Sequence, residues 1–228
     1  MTDHQSNPSD LRPQPADAEV TVNTSRRRLT GAGLGMSAIF TLASRPVLAV
    51  QCTSASSAAS GNLSQHGIPP QCTGRTPGYW KNPQWASQWP SPYAQGTCNS
   101  GSGNGNGNNG CSNSPSNWSG GTAFHPEFHG SKFMVNNNNN TSSLTMNQVM
   151  VMNDSSYMGI TDKDNLGAHV VAALLNAASG KTNGVLTVAQ VKNMWYECQT
   201  NGVYEPTAGV QWSPAQVVAY LQSTMPEN

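Results

Sequence analysis

Three segments of this chain carry the same helix-start signal, and it limits what the C-terminal half can become. "LTMNQV" begins at Leu144, "LTVAQV" at Leu186 and "WSPAQV" at Trp212. In each, a Ser or Thr is followed three residues later by Gln, a pair that satisfies two orphan backbone N–H groups at a helix N-terminus. An apolar residue precedes each cap and a Val follows each Gln. Leu144/Val149, Leu186/Val191 and Trp212/Val217 therefore read as hydrophobic staples. Pro214 stands at a first helical position, where its missing N–H costs nothing. The agreement is local start chemistry, not an internal repeat. A fourth helix is predicted in "DNLGAHVVAALLNAASG", where Leu166, Val170, Ala173, Leu174 and Ala177 share a face. Thr161 with Asp164 would cap it and Gly180 would end it. Its small residues let neighbours approach closely, which makes it the central helix. In the helix after Leu186, Val188, Val191, Trp195 and Cys198 share a face; in the last, Val217, Val218 and Leu221 point to the core.

The stretch from 50 to 143 has different physics. It holds a Ser/Ala-rich start, an aromatic cluster (Tyr79, Trp80, Trp85, Trp89), the run "NSGSGNGNGNNG" and "NNNNN" at 136–140. Such tracts lack the apolar side chains a core requires, and strands around 122–135 are only weakly signalled. All five cysteines lie beyond residue 50: Cys52, Cys72, Cys98, Cys111 and Cys198. None has the two-residue spacing of a zinc knuckle or redox pair. Cys98 and Cys111 bracket the Gly/Asn run and are expected to bridge. Two of the other three would pair, as Cys72–Cys198 or Cys52–Cys72, leaving one thiol free or linked to a second chain as a disulfide-linked dimer. The expected fold is thus mainly α: a compact four-helix half (144–228) packed on a loop-rich, disulfide-stapled, Trp-rich half (50–143).

Residues 1–24 are polar and proline-punctuated and read as a disordered extension. "SRRRLTGAGLGMSAIFTLASRPVLAVQC" follows, with Arg26 and Arg27 after Ser25, the pattern of a twin-arginine export signal. The apolar run Gly31 to Ala43 is shorter than the roughly 20 residues that span a bilayer. Val47-Leu48-Ala49 offers small residues for cleavage between Ala49 and Val50. The twin-arginine translocase is then a transient partner, and 50–228 is one exported domain with no stable membrane anchor. It carries six basic residues (Arg75, Lys81, Lys132, Lys163, Lys181, Lys192). Against them stand seven acidic ones (Glu127, Asp154, Asp162, Asp164, Glu197, Glu205, Glu227), so six minus seven leaves a formal charge of −1. No basic stripe is present, which argues against nucleic acid as a partner. Asn, Ser, Gly and Thr supply solubility in place of charge.

"CTGRTPGYWKN" (Cys72 to Asn82) resembles the motif of exported bacterial and archaeal "TxGYWKN" proteins, in which a Thr-x-Gly-aromatic-Trp-Lys core precedes a helix like "LGAHVVAALLNAASG". The likeness covers Cys72–Trp89 and Leu166–Gly180. It implies export and this architecture, with no established activity. Many members carry a His after the Asn; here Pro83 takes its place, and the Gly/Asn run looks like a local insertion.

Candidate chemistry is sparse. "HPEFH" supplies His125, Glu127 and His129. On a helix the two His would share a face and hold zinc or another metal, with Glu127 as ligand or base. The metallopeptidase pattern has Glu directly after the first His, and here Pro126 stands there. The competing reading is a polar turn with Phe124 and Phe128 packed inward. His66 or His169 would supply a further ligand, although His169, in the apolar central helix, reads as a satisfied boundary histidine. Met146, Met150, Met152 and Met158 are dense enough for a copper site, against the commoner use of Met as flexible core filling. "SGKT" at 179 lacks the earlier Gly of a phosphate loop, because Leu175 occupies that place. In the aromatic cluster, Tyr79 and Trp80 are expected to be buried against the central helix with Lys81 pointing outward. Trp85 and Trp89 are the candidates for stacking on a carbohydrate. The reading that results is an exported, non-enzymatic structural or binding protein of the periplasm or cell exterior. A metal-dependent exported enzyme and a carbohydrate-binding module are the alternatives.

Overall fold

A computed structural model describes residues 52–60, 71–99, 111, 114–137, 140–152, 156–182 and 184–226, all within the unit Pro46–Asn228. The export signature at Arg26 and Arg27, the Ala49/Val50 junction, His66 and most of the Gly/Asn run lie outside the described residues. The elements in order are α1 (Ala55–Ser60), α2 (Pro77–Trp80), β1 (Thr97–Cys98), β2 (Trp118–Ser119), β3 (Met134–Asn137), β4 (Asn140–Ser143), α3 (Met146–Met152), β5 (Ser156–Tyr157), β6 (Ile160–Thr161), α4 (Leu166–Ala178), α5 (Val188–Asn201), β7 (Tyr204–Thr207), β8 (Val210–Trp212) and α6 (Pro214–Ser223). Single 3-10 turns cover Pro83–Gln88, Pro115–Asn117 and Lys163–Asn165.

The four expected helices are α3, α4, α5 and α6. Each predicted capping box closes. Thr145 and Gln148 exchange bonds of 2.9 and 3.2 Å, Thr187 and Gln190 bonds of 2.8 and 3.2 Å, and Ser213 and Gln216 bonds of 2.8 and 3.4 Å. All six staple residues are buried. Helix α4 packs against α2, α3, α5 and α6, so nearly its whole circumference is buried, not one face alone. Gly167 permits the closest approach: a Cβ there would lie 2.6 Å from the Phe133 ring. At its end Gly180 takes a left-handed φ of 73°. The Lys181 N–H bonds the Asn176 carbonyl and the Gly180 N–H the Ala177 carbonyl, the two bonds of a Schellman stop.

The start of α4 differs from expectation. The cap is Asp162, whose two carboxylate oxygens accept from the N–H groups of Gly167 and Ala168 at 3.0 Å each. Thr161 pairs in β6 instead, and Asp164 and Asn165 turn the chain with φ of 66° and 56°.

Mainly α is too simple a description. Among the described residues four two-stranded antiparallel sheets, β1–β2, β3–β4, β5–β6 and β7–β8, punctuate the helices. Strands β3 and β4 pair from Met134 with Ser143 to Asn137 with Asn140, and the β7–β8 hairpin lies between α5 and α6 in sequence. The first half is still organised mostly by turns.

Cys98 and Cys111 lie at disulfide distance with Cα atoms 5.8 Å apart, as expected. They close the β1–β2 end, packed with Trp118 and Val151. The other pair is Cys52–Cys72, Cα atoms 4.9 Å apart. Cys198 is therefore not a bridging residue. It faces inward, as its helical phase predicts, but against the core and not against another sulfur. At 5% exposure its thiol is also withheld from a second chain. Burial, then the charge of Glu197, pushes its pKa up to about 11.

Candidate functional site

The "TPGYWKNPQW" stretch is built from two like units. Thr76 caps α2 with Pro77 behind it, and Asn82 caps the 3-10 turn with Pro83 behind it. Each cap has an aromatic residue three places on: Tyr79 after Thr76 and Trp85 after Asn82. The two rings stack, centroids 5.1 Å apart and 12° from parallel. The Arg75 guanidinium carbon lies 4.9 Å from the Tyr79 ring centroid. Pro83 thus begins the turn that presents Trp85.

Beneath this stack lies a polar clamp. Asn176, wholly buried in α4, accepts from the Arg75 N–H at 2.8 Å and from the Trp80 indole at 3.1 Å, and it donates to the Arg75 carbonyl at 2.8 Å. The Trp80 carbonyl in turn accepts from the Trp89 indole at 3.1 Å and from Gln95 Nε2 at 2.8 Å. Gly74 passes so close that a Cβ would run into the Thr224 carbonyl oxygen. Fixed backbone, not side-chain packing alone, holds Arg75, Tyr79 and Trp85 in place.

Several expected placements change as a result. Trp80 is buried against α4 as predicted, but Tyr79 is only half-buried. Trp89, offered as an exposed platform, is 7% exposed and belongs to the core. Its indole is drawn inward by the Trp80 carbonyl. Trp85 alone of the two remains half-exposed. Lys81 does not stand free in solvent: it is half-buried, and burial lowers its pKa.

The His125–Glu127–His129 group does not assemble into a metal centre. The segment is a turn closed by the Phe128 N–H on the Phe124 carbonyl at 2.9 Å. Phe124 and Phe128 face inward, where they join Phe133 and Trp195 in a four-ring cluster. The Trp195 indole fastens the turn through the His129 carbonyl at 2.8 Å. Glu127 is engaged by Lys192 of α5 at 2.6 Å. Burial, then the neighbouring His129, lowers the pKa of His125. Among the described residues no three His, Cys, Asp or Glu side chains come together as a metal site. His169 is satisfied on both ring nitrogens, by the Asn165 carbonyl at 2.8 Å and the Gln222 amide at 3.1 Å. Met146, Met150 and Met152 are core residues, whereas Met158 is exposed at a turn, so the four share no environment.

The residues that sequence reasoning missed are Asn176 and Arg75. The repeated cap–Pro–x–aromatic spacing is the signal that could have paired Tyr79 with Trp85. No family model, curated protein or solved structure matches this chain.

Proposed function

We propose that the chain is an exported, non-enzymatic binding protein of the periplasm or cell exterior whose ligand surface is the Arg75–Tyr79–Trp85 stack. The observation that carries the reading is a half-exposed aromatic stack whose backbone is clamped from below by Asn176. A rigid aromatic face gives contact area at small entropic cost on binding, and exposed rings of this kind suit the C–H face of a sugar. Export is supported by the Arg26–Arg27 signature and by two cysteine pairs at disulfide distance, which persist in oxidising compartments. No described helix is long and apolar enough to cross a membrane. The motif loop and the central helix meet at Asn176, which fixes the surface from below.

Affinity electrophoresis of the 50–228 protein in gels containing xylan, hydroxyethylcellulose or polygalacturonate tests the binding reading. Retardation by at least one polymer, lost in Trp85→Ala with the unfolding midpoint little changed, is the expected result. Equal mobility in every gel would remove it.

A further inference from the structure

We infer that the ligand of this surface is a carboxylate-bearing sugar, a uronic acid unit of an acidic polysaccharide. This rests on the reading of the Arg75–Tyr79–Trp85 stack as a binding surface and adds the chemistry of what it holds.

The first argument is charge. From Val50 to Pro126 the chain contains no Asp or Glu, while Arg75 and Lys81 fall within that stretch. Among the described residues, the ion pairs are Lys132–Asp162 and Lys192–Glu127; Arg75 takes part in neither. Arg75 is thus a permanent cation with no carboxylate paired to it among the described residues, and its Nε is enclosed without a partner. An arginine held on a ring face with its fork unengaged is preorganised for a planar anion.

The second argument is shape. Tyr79 and Trp85 are close to parallel and half-exposed, and the guanidinium lies over the Tyr79 ring. A pyranose ring laid on Trp85 presents its hydrophobic C–H face to the indole. A carboxylate on C5 of such a ring supplies the planar anion that the guanidinium over the adjoining Tyr79 ring lacks. Gln84 and Gln88 of the same turn are exposed and offer amides to ring hydroxyls. Neutral sugars would use the aromatic face and leave the arginine unanswered.

The test compares oligogalacturonate with its fully methyl-esterified form, the same ring with the charge removed. Binding to the 50–228 protein is read by tryptophan fluorescence and calorimetry at pH 7. Oligogalacturonate should bind about tenfold tighter or more than the ester, the usual size of a charge-assisted contact. Added salt should narrow that gap, and Arg75→Gln should abolish it. Because Asn176 grips the Arg75 backbone and not its side chain, Arg75→Gln should keep the fold, checked by its unfolding midpoint. Equal affinity for acid and ester overturns the uronate assignment while the binding surface stands. Undiminished discrimination in Arg75→Gln overturns it too, since the carboxylate would then be read elsewhere. Tighter binding of a short peptide through its C-terminal carboxylate, in competition with the sugar, would replace the sugar with a protein partner. No binding of either sugar, with no retardation in any polysaccharide gel, removes both the assignment and the surface.

Discussion

Asn176 is the residue on which the N-terminal motif depends. Its amide makes three bonds to the Arg75 backbone and the Trp80 indole from inside α4. Asn176→Leu would fill the space but strand a buried indole N–H and two backbone groups. Leaving such groups unpaired costs about 1–3 kcal/mol apiece and not additively, so a loss of roughly 2–4 kcal/mol is expected in urea unfolding. Gly74→Ala should be destabilising as well. Its Cβ meets the Thr224 carbonyl, a backbone atom that cannot swing aside. A wild-type midpoint for either variant would show that the clamp is not what holds the motif.

At the scale of elements, helix starts are set by caps, and the caps differ in kind. Thr187 and Ser213 are members of reciprocal boxes. Each change to Ala should cost about 1 kcal/mol, read as a lowered melting temperature, and the two costs should add because they start different helices. Asp162 is the unusual cap. It is wholly buried, with Lys132 3.6 Å away. Burial raises its pKa above the ordinary 3.8, and the two backbone bonds and Lys132 only partly offset that. The folded state then holds this proton more tightly than the unfolded one, so the contribution to stability is greatest at low pH and falls as pH rises above about 3.8. Unfolding free energies of wild type and Asp162→Asn across pH 3–7 isolate this group. The wild type should lose ground to the variant as pH rises, and the opposite trend would mean that the cap and Lys132 outweigh desolvation.

Across the whole molecule, two cysteine pairs tie the turn-rich half together. The Cys52–Cys72 pair, 20 residues apart in sequence, secures the segment that carries α1. That segment is also fastened at Thr53, whose carbonyl accepts from the Tyr220 hydroxyl of α6 at 3.1 Å. By loop entropy each closure is worth about 3 kcal/mol, so Cys52→Ser should lower stability by that order. Peptide mapping of the oxidised protein should recover Cys52–Cys72 and Cys98–Cys111. A thiol reagent should find one cysteine per chain, Cys198, silent in the native state and reactive in urea. A Cys72–Cys198 peptide would contradict this arrangement.

What could be read directly was the local chemistry. The capping boxes, their staples, the Gly180 stop and the inward Phe124 and Phe128 each depend on residues within about one or two helical turns, where spacing alone sets geometry. The site was legible in part: the aromatic cluster was singled out and Trp80 was placed correctly, but Trp89 was not. Trp89 turns inward because a carbonyl nine residues earlier accepts its indole, and no periodicity encodes that. The choice of Cys52 over Cys198 and the pairing of Glu127 with Lys192 join residues far apart in the chain. So does the grip of Asn176 on Arg75. Such partners are chosen by which surfaces the packed helices bring together. Local residue chemistry determined where α3, α5 and α6 begin and which faces α5 and α6 bury; only the tertiary structure decided the cap and all-round burial of α4 and which buried polar groups meet, because an unpaired polar group is costly only once packing has removed its water.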